Sequence, residues 1–201
     1  MMGWMKEELR EALSRRQKRH IVDPGLTASA VLIPIYCRDG EYHILFTKRS
    51  ETVKNHKGQI SFPGGTYENG DGSLLNTALR ESDEEIALMA RDVEVLGELD
   101  DTVTIVSSYI VSPFVVVIPW PYQFKVDGKE IERIIEVPIS ALMDKSCLRE
   151  ETSMVEGEAV DLYYYHYRDE VIWGATARIL TQFLDIIRRV VGDTGLECGS
   201  N

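Results

Sequence analysis

Three glutamates, Glu81, Glu84 and Glu85, stand at positions i, i+3 and i+4 of one short stretch. On a helix that spacing brings all three carboxylates to one face. Like charges so placed repel by a few tenths of a kcal/mol per pair, so a counter-charge must accompany them. Arg80 can pair with Glu84 one turn on, and a divalent cation can sit among the oxygens. Hard cations such as Mg²⁺ select carboxylate oxygen and are commonly shared with a substrate's phosphates. Upstream, Gly64-Gly65 offers backbone without Cβ, able to turn sharply and bring a carbonyl or amide close to an ion. The glutamates alone would read as a solvated helix face; joined to the glycine turn, they read as a metal site. Lys48, Arg49, His56 and Lys57 form a second group, basic side chains in an acidic chain. They suit charge-assisted hydrogen bonds to phosphate, or they offset acids such as Glu51 and Glu68.

The elements that must position these groups follow from periodicity and punctuation. Ala30 to Tyr36 and Tyr42 to Thr47 are β-type runs around Asp39-Gly40, a hairpin signal. A short strand over Gln59–Phe62 leads into Pro63-Gly64-Gly65. A Gly/Asn/Asp loop over 66–73 ends at Ser73, an N-cap for a helix reaching about Leu88. On that helix Leu75, Leu79, Ser82 and Ile86 form the stripe that packs on a sheet. Further strands are expected at Val93–Leu99, Pro113–Ile118, Arg133–Val137 and Val160–Tyr167, with a short helix at 139–143 and a last helix from Trp173-Gly174 to about Val191. Met5, Leu9, Ala12 and Leu13 make an amphipathic helix over 4–19, with acids early and Arg15, Arg16, Lys18 and Arg19 at its end. The sum is an α+β (mixed α/β) fold with a mixed central sheet.

Gly65, Asp71, Arg80, Glu81, Glu84 and Glu85 together resemble the Nudix box, G-x5-E-x7-R-E-U-x-E-E-x-G-U with U aliphatic. Asp71 stands where the box has Glu and one residue farther from the Arg, Ser82 replaces the aliphatic U, and Ala87 replaces the Gly. Two stretches, Leu45–Ser50 and His56–Gly65, resemble the extra motif of the coenzyme A diphosphatase branch, as do Glu130-Ile131 and Trp173-Gly174 downstream. The resemblance spans about residues 28–188. It implies a Nudix-like α/β/α sandwich over residues 25–192, preceded by a helical extension (1–24) and followed by a flexible tail (193–201). It also implies Mg²⁺ or Mn²⁺ as cofactor, held by Glu81, Glu84, Glu85, the Gly65 carbonyl and Glu130, with Glu132 and Glu136 as rivals for that last place. Glu81 and Glu84 would act in catalysis, Glu81 as activator of the attacking water, with Arg80 orienting the carboxylates. Arg49, His56, Lys57, Gly64 and Gly65 would bind substrate. The implied reaction is hydrolysis of coenzyme A or its thioesters at the diphosphate. Another nucleoside diphosphate derivative such as ADP-ribose, or nucleotide binding without turnover, remains open.

Composition narrows the partners. With 22 basic and 33 acidic residues the formal charge is −11, which argues against nucleic acid, where affinity comes from Lys and Arg on phosphates. No apolar run approaches the roughly 20 residues that span a bilayer, and charges interrupt any N-terminal apolar stretch, so neither membrane nor secretion is expected. Three separated cysteines, Cys37, Cys147 and Cys198, read as free thiols in a reducing cytoplasm. A monomer and a homodimer fit equally well.

Overall fold

The computed structural model describes residues 3–52, 56–105, 107–155, 157–191 and 198. Apolar alternation on either side of Asp39-Gly40 makes the first two strands, β1 (Thr27–Arg38) and β2 (Glu41–Arg49). Asp39 and Gly40 both take positive φ, 52° and 83°, as a two-residue hairpin turn of matching twist requires. In chain order the remaining elements are α1 (Gly3–Ser14) before β1, then β3 (Ile60–Ser61), β4 (Gly64–Thr66), α2 (Leu74–Ile86), β5 (Glu94–Glu98), β6 (Thr102–Val103), β7 (Tyr109–Val117), β8 (Ile131–Pro138), α3 (Ile139–Met143), β9 (Leu148–Val155), β10 (Glu158–Tyr167), β11 (Glu170–Ile172) and α4 (Gly174–Val191).

Eight strands form one mixed sheet with the path β3-β2-β1-β7-β5; β4 pairs with β1, β6 with β7 and β8 with β2. β1 and β7 run parallel, Ala30 opposite Ser112, and both are largely buried, as central parallel strands are. The two-residue period of β1 sends its side chains to opposite faces. Ala30, Leu32 and Tyr36 meet Ala78 and Ile86 of α2, while Ile33 and Ile35 join the core that Met5, Leu9 and Leu13 of α1 and Phe183, Leu184 and Ile187 of α4 share. Helices therefore cover both faces, and the expected α/β/α sandwich is the one observed. A second sheet, β11-β10-β9, lies beside α4. Among the described residues no helix is long and apolar enough to cross a membrane.

Three expectations are corrected. Helix α1 stops at Ser14, because the apolar stripe ends at Leu13. The basic residues beyond it tie the chain to the β5–β6 connection, Arg16 to Asp100 at 3.0 Å and Lys18 to Asp101 at 3.2 Å. Strand β9 was not foreseen; its sequence LREETSMV lacks alternation, and its form comes from pairing with β10. The cysteines are not all free. Cys37 and Cys198 form a disulfide with Cα atoms 6.0 Å apart, and only Cys147 is a buried free thiol. The bridge arises because the β1–β2 turn meets the late chain, where the Cys198 N–H donates to the Gly40 carbonyl at 2.9 Å. The rest of the expected tail, 193–197 and 199–201, lies outside the described residues.

Candidate functional site

Helix α2 is placed by its two ends. The Ser73 hydroxyl accepts from the Asn76 N–H at 3.1 Å, satisfying one of the first-turn donors. Ala87 closes the other end in the left-handed region, φ 56° and ψ 34°, and its N–H reaches the Asp83 carbonyl. Ser82 is fully buried against the sheet, yet its hydroxyl donates to the Ala78 carbonyl at 2.7 Å, so a polar residue replaces an aliphatic one without an orphaned group. This rotation turns Glu81 and Glu85 toward β4 and leaves Glu84 with 62% of its side chain exposed.

Strand β4 meets them from the other side. Its Gly64 and Gly65 lie opposite Val31 and Ala30 of β1. Gly64 has φ 145°, and a Cβ there would stand 2.2 Å from the Ala30 carbonyl oxygen; the docking of β4 admits nothing larger. A Cβ on Gly65 would fall 2.4 Å from the carboxyl carbon of Glu81, so the missing side chain is a slot that Glu81 fills. The Gly64 N–H donates to Glu85 Oε2 at 3.2 Å. Burial pushes the Glu85 carboxyl up to about 8, against the pull of the Gly64 N–H and Arg49, while the charges of Glu81 and Glu130 add to the rise. Burial likewise raises Glu81, moderated by Arg80, with Glu84 and Glu130 adding to it.

Arg80 has a different main partner from the one its spacing suggests. Its Nε donates to Asp71 Oδ1 at 2.8 Å and its guanidinium reaches the Thr66 carbonyl at 3.1 Å and Glu81 at 2.9 Å, with Glu84 farther at 3.4 Å. Asp71 also accepts from the Thr77 hydroxyl at 2.7 Å and the Glu68 N–H at 2.9 Å. Arg80 foremost, then these donors, hold its carboxyl well below the usual carboxylate range. The clasp joins the polar loop to α2 and points Arg80 at Glu81.

The later acid comes from the start of β8. Arg49, the last residue of β2, pairs with Glu130 at 3.0 Å, and the Ser50 N–H donates to the Glu130 carbonyl at 2.8 Å. Of the three acids weighed from sequence, Glu130 is the one whose charge is felt at both Glu81 and Glu85, where it adds to the rise of each carboxyl. Glu132 stands beside Arg133, and Glu136 accepts from the Tyr36 hydroxyl at 2.7 Å and from Arg38 at 2.9 Å. The basic group is divided. Arg49 lies at the site, with its buried Nε lacking a partner among the described residues; Lys48 pairs with Glu170 at 3.0 Å. His56 and Lys57 are exposed, and His56 Nδ1 meets the Gln59 side-chain oxygen at 2.9 Å. Residues 53–55 lie outside the described residues.

The three helix carboxylates do not close into a cage, and among the described residues no three Asp, Glu, His or Cys side chains do. Arg80 and the Gly64 N–H draw Glu81 and Glu85 to separate partners. The donor set still fits a hard cation. It offers a buried carboxylate (Glu85), a second carboxylate in a glycine slot (Glu81), and a third (Glu130) whose charge destabilises the other two.

Comparison with known proteins gives the fold class and the family. A MutT/nudix family protein from Enterococcus faecalis superposes with a TM-score of 0.56 at 11% identity, covering 92% of this chain and 74% of that one, which defines the fold class. The family model described as NUDIX domain matches residues 26–148. An uncharacterised Nudix hydrolase, NudL, of Photorhabdus laumondii is 36% identical over 154 residues, 77% of this chain and 81% of the relative. A NudL of Yersinia pestis is 38% identical over 152 residues, covering 76% and 75%. The chain belongs to the Nudix hydrolase family. It is an enzyme of the class that hydrolyses diphosphate bonds in small nucleotide derivatives, a class that generally uses divalent metal ions.

Proposed function

We propose that this Nudix hydrolase uses Mg²⁺ or Mn²⁺ to cleave the diphosphate of coenzyme A or its thioesters, giving 4′-phosphopantetheine and adenosine 3′,5′-bisphosphate. One observation carries the reading: the stretch that resembles the coenzyme A branch ends at the acidic face. Its Leu45–Ser50 part brings Arg49 to Glu130, and its His56–Gly65 part brings Gly64 to Glu85. Glu81, Glu85 and Glu130, with Glu84 and the Gly65 carbonyl, are the residues that would hold the ion. Such an ion, when bound, lowers the pKa of the attacking water and neutralises charge on the diphosphate.

The protein groups have distinct tasks. Glu81 takes a proton from the attacking water, a role its raised carboxyl pKa suits. Arg80, fixed by Asp71, keeps Glu81 oriented. The part-exposed guanidinium of Arg49 and the exposed His56 and Lys57 receive phosphate oxygens. The test is incubation with coenzyme A and Mn²⁺, with products separated chromatographically. Release of 4′-phosphopantetheine is the expected result. Efficient cleavage of ADP-ribose with coenzyme A untouched would transfer the assignment to another nucleoside diphosphate derivative.

A further inference from the structure

After β7 the chain crosses the C-terminal end of α2 as a strap, residues 119–130. The last carbonyls of a helix lack partners within it, and here the strap supplies them. The Lys125 N–H donates to the Ile86 carbonyl and the Asp127 N–H to the Glu85 carbonyl, both at 3.0 Å. The Tyr122 hydroxyl accepts from the Met89 N–H at 3.0 Å and bonds Asp92 at 2.9 Å, pinning the strap's other half. At its exit the Asp127 carboxylate turns back on the chain. It accepts from the Glu130 N–H at 3.0 Å and from the Ile131 N–H at 2.9 Å. Burial would raise this carboxyl, but the N–H groups of Ile131, Glu130 and Lys129 outweigh burial and lower it.

Asp127 therefore sits between two acids of the site. Its own N–H is bonded to the backbone of Glu85, and its carboxylate fixes the backbone of Glu130. The Glu130 side chain is 60% exposed, so apart from Arg49 little but its backbone anchor defines where it can reach. We propose that Asp127 is a positioning residue for hydrolysis: it holds the backbone that presents Glu130 to the acidic face and locks it to the end of α2 that carries Glu85. The inference rests on the proposed metal-binding role of Glu130. Asp127 touches neither ion nor substrate; it acts through Glu130.

Removing the carboxylate strands the Glu130 and Ile131 N–H groups and loosens the approach to β8, leaving the Ser50 N–H on the Glu130 carbonyl, while Glu81 and Glu85 keep Arg80 and Gly64. Asp127→Ala should weaken Mn²⁺ binding, read by calorimetry on the metal alone, and kcat on coenzyme A (or on ADP-ribose, if that is what the wild type cleaves). Losses of about ten- to a hundredfold are expected for a supporting residue of a metal site, with KM little changed. Asp127→Asn keeps an oxygen acceptor and should restore most of both. In a Glu130→Gln background, Asp127→Ala should add almost nothing, because its effect passes through a group already removed. Melting curves separate these losses from unfolding; if Asp127→Ala does not fold, Asp127→Ser takes its place beside Asp127→Asn. Full, independent losses in the Glu130→Gln background overturn the inference, as does an Asp127→Ala enzyme with wild-type metal affinity and kcat. A wild type that takes up no Mn²⁺ removes the reading of the acidic face, and Asp127's role with it.

Discussion

As a proposed metal ligand, Glu85 costs the fold stability. Its carboxyl titrates near 8 in the folded chain and near 4.5 when unfolded, so the folded state holds the proton more tightly. Stability then falls as pH rises between those values and levels off above them. Glu85→Gln mimics the protonated form. It should abolish Mn²⁺ uptake and activity, yet raise the melting temperature of the metal-free protein, increasingly so toward pH 8. In the wild type, ion binding must release that proton, so Mn²⁺ affinity measured by calorimetry should climb from about pH 6 to 8. Gly65→Ala is the complementary change. A methyl group would occupy the space of the Glu81 carboxyl, so kcat should drop at least about tenfold with a smaller loss of stability. Much of this site was readable in the sequence, because Gly64, Gly65 and the glutamates are close in the chain and a helix fixes their mutual placement. Asp71 as Arg80's main partner was not, since Asp71 lies in the loop before α2, which has no period to read. Asp127 was invisible for another reason. Its N–H meets the Glu85 carbonyl, far away in sequence, and its carboxylate holds the backbone of Glu130, and neither bond leaves a pattern in the residues around it.

Elements with a strong local pattern were legible, and those defined by a partner were not. The β1–β2 hairpin and α2 each carry their own signals, the Asp-Gly turn and the Ser73 cap, and both appear where those signals put them. Strands β9 and β11 have too little alternation or length to announce themselves. The C-terminus of α2 shows a local rule broken. Ala87 takes φ 56°, where a Cβ costs roughly 1–2 kcal/mol and glycine costs little. Ala87→Gly should therefore stabilise the protein by about 1 kcal/mol, measurable as a shift of the denaturant midpoint. The strap secures this cap through the Tyr122 hydroxyl, which accepts from the Met89 N–H at 3.0 Å, so activity should not rise with stability.

Across the whole molecule, the Cys37–Cys198 bridge and the acidic face occupy opposite ends of β1. Ala30, which faces Gly65, and Cys37 are about 23 Å apart at the usual rise of a strand. Cutting the bridge should thus act on stability and leave chemistry alone. The linked residues are 161 apart in sequence, and closing so long a loop restricts the unfolded chain by up to about 4–5 kcal/mol in the entropic model. Cys37→Ser, or a reducing agent, should lower the melting temperature while kcat at room temperature stays within error. The bridge also makes a covalent ring of nearly everything that matters, from the hairpin through the acidic helix to α4. A protease that nicks this ring once liberates no fragment. The clipped protein would run as a single band on a non-reducing gel and fall into two pieces only when thiol is added.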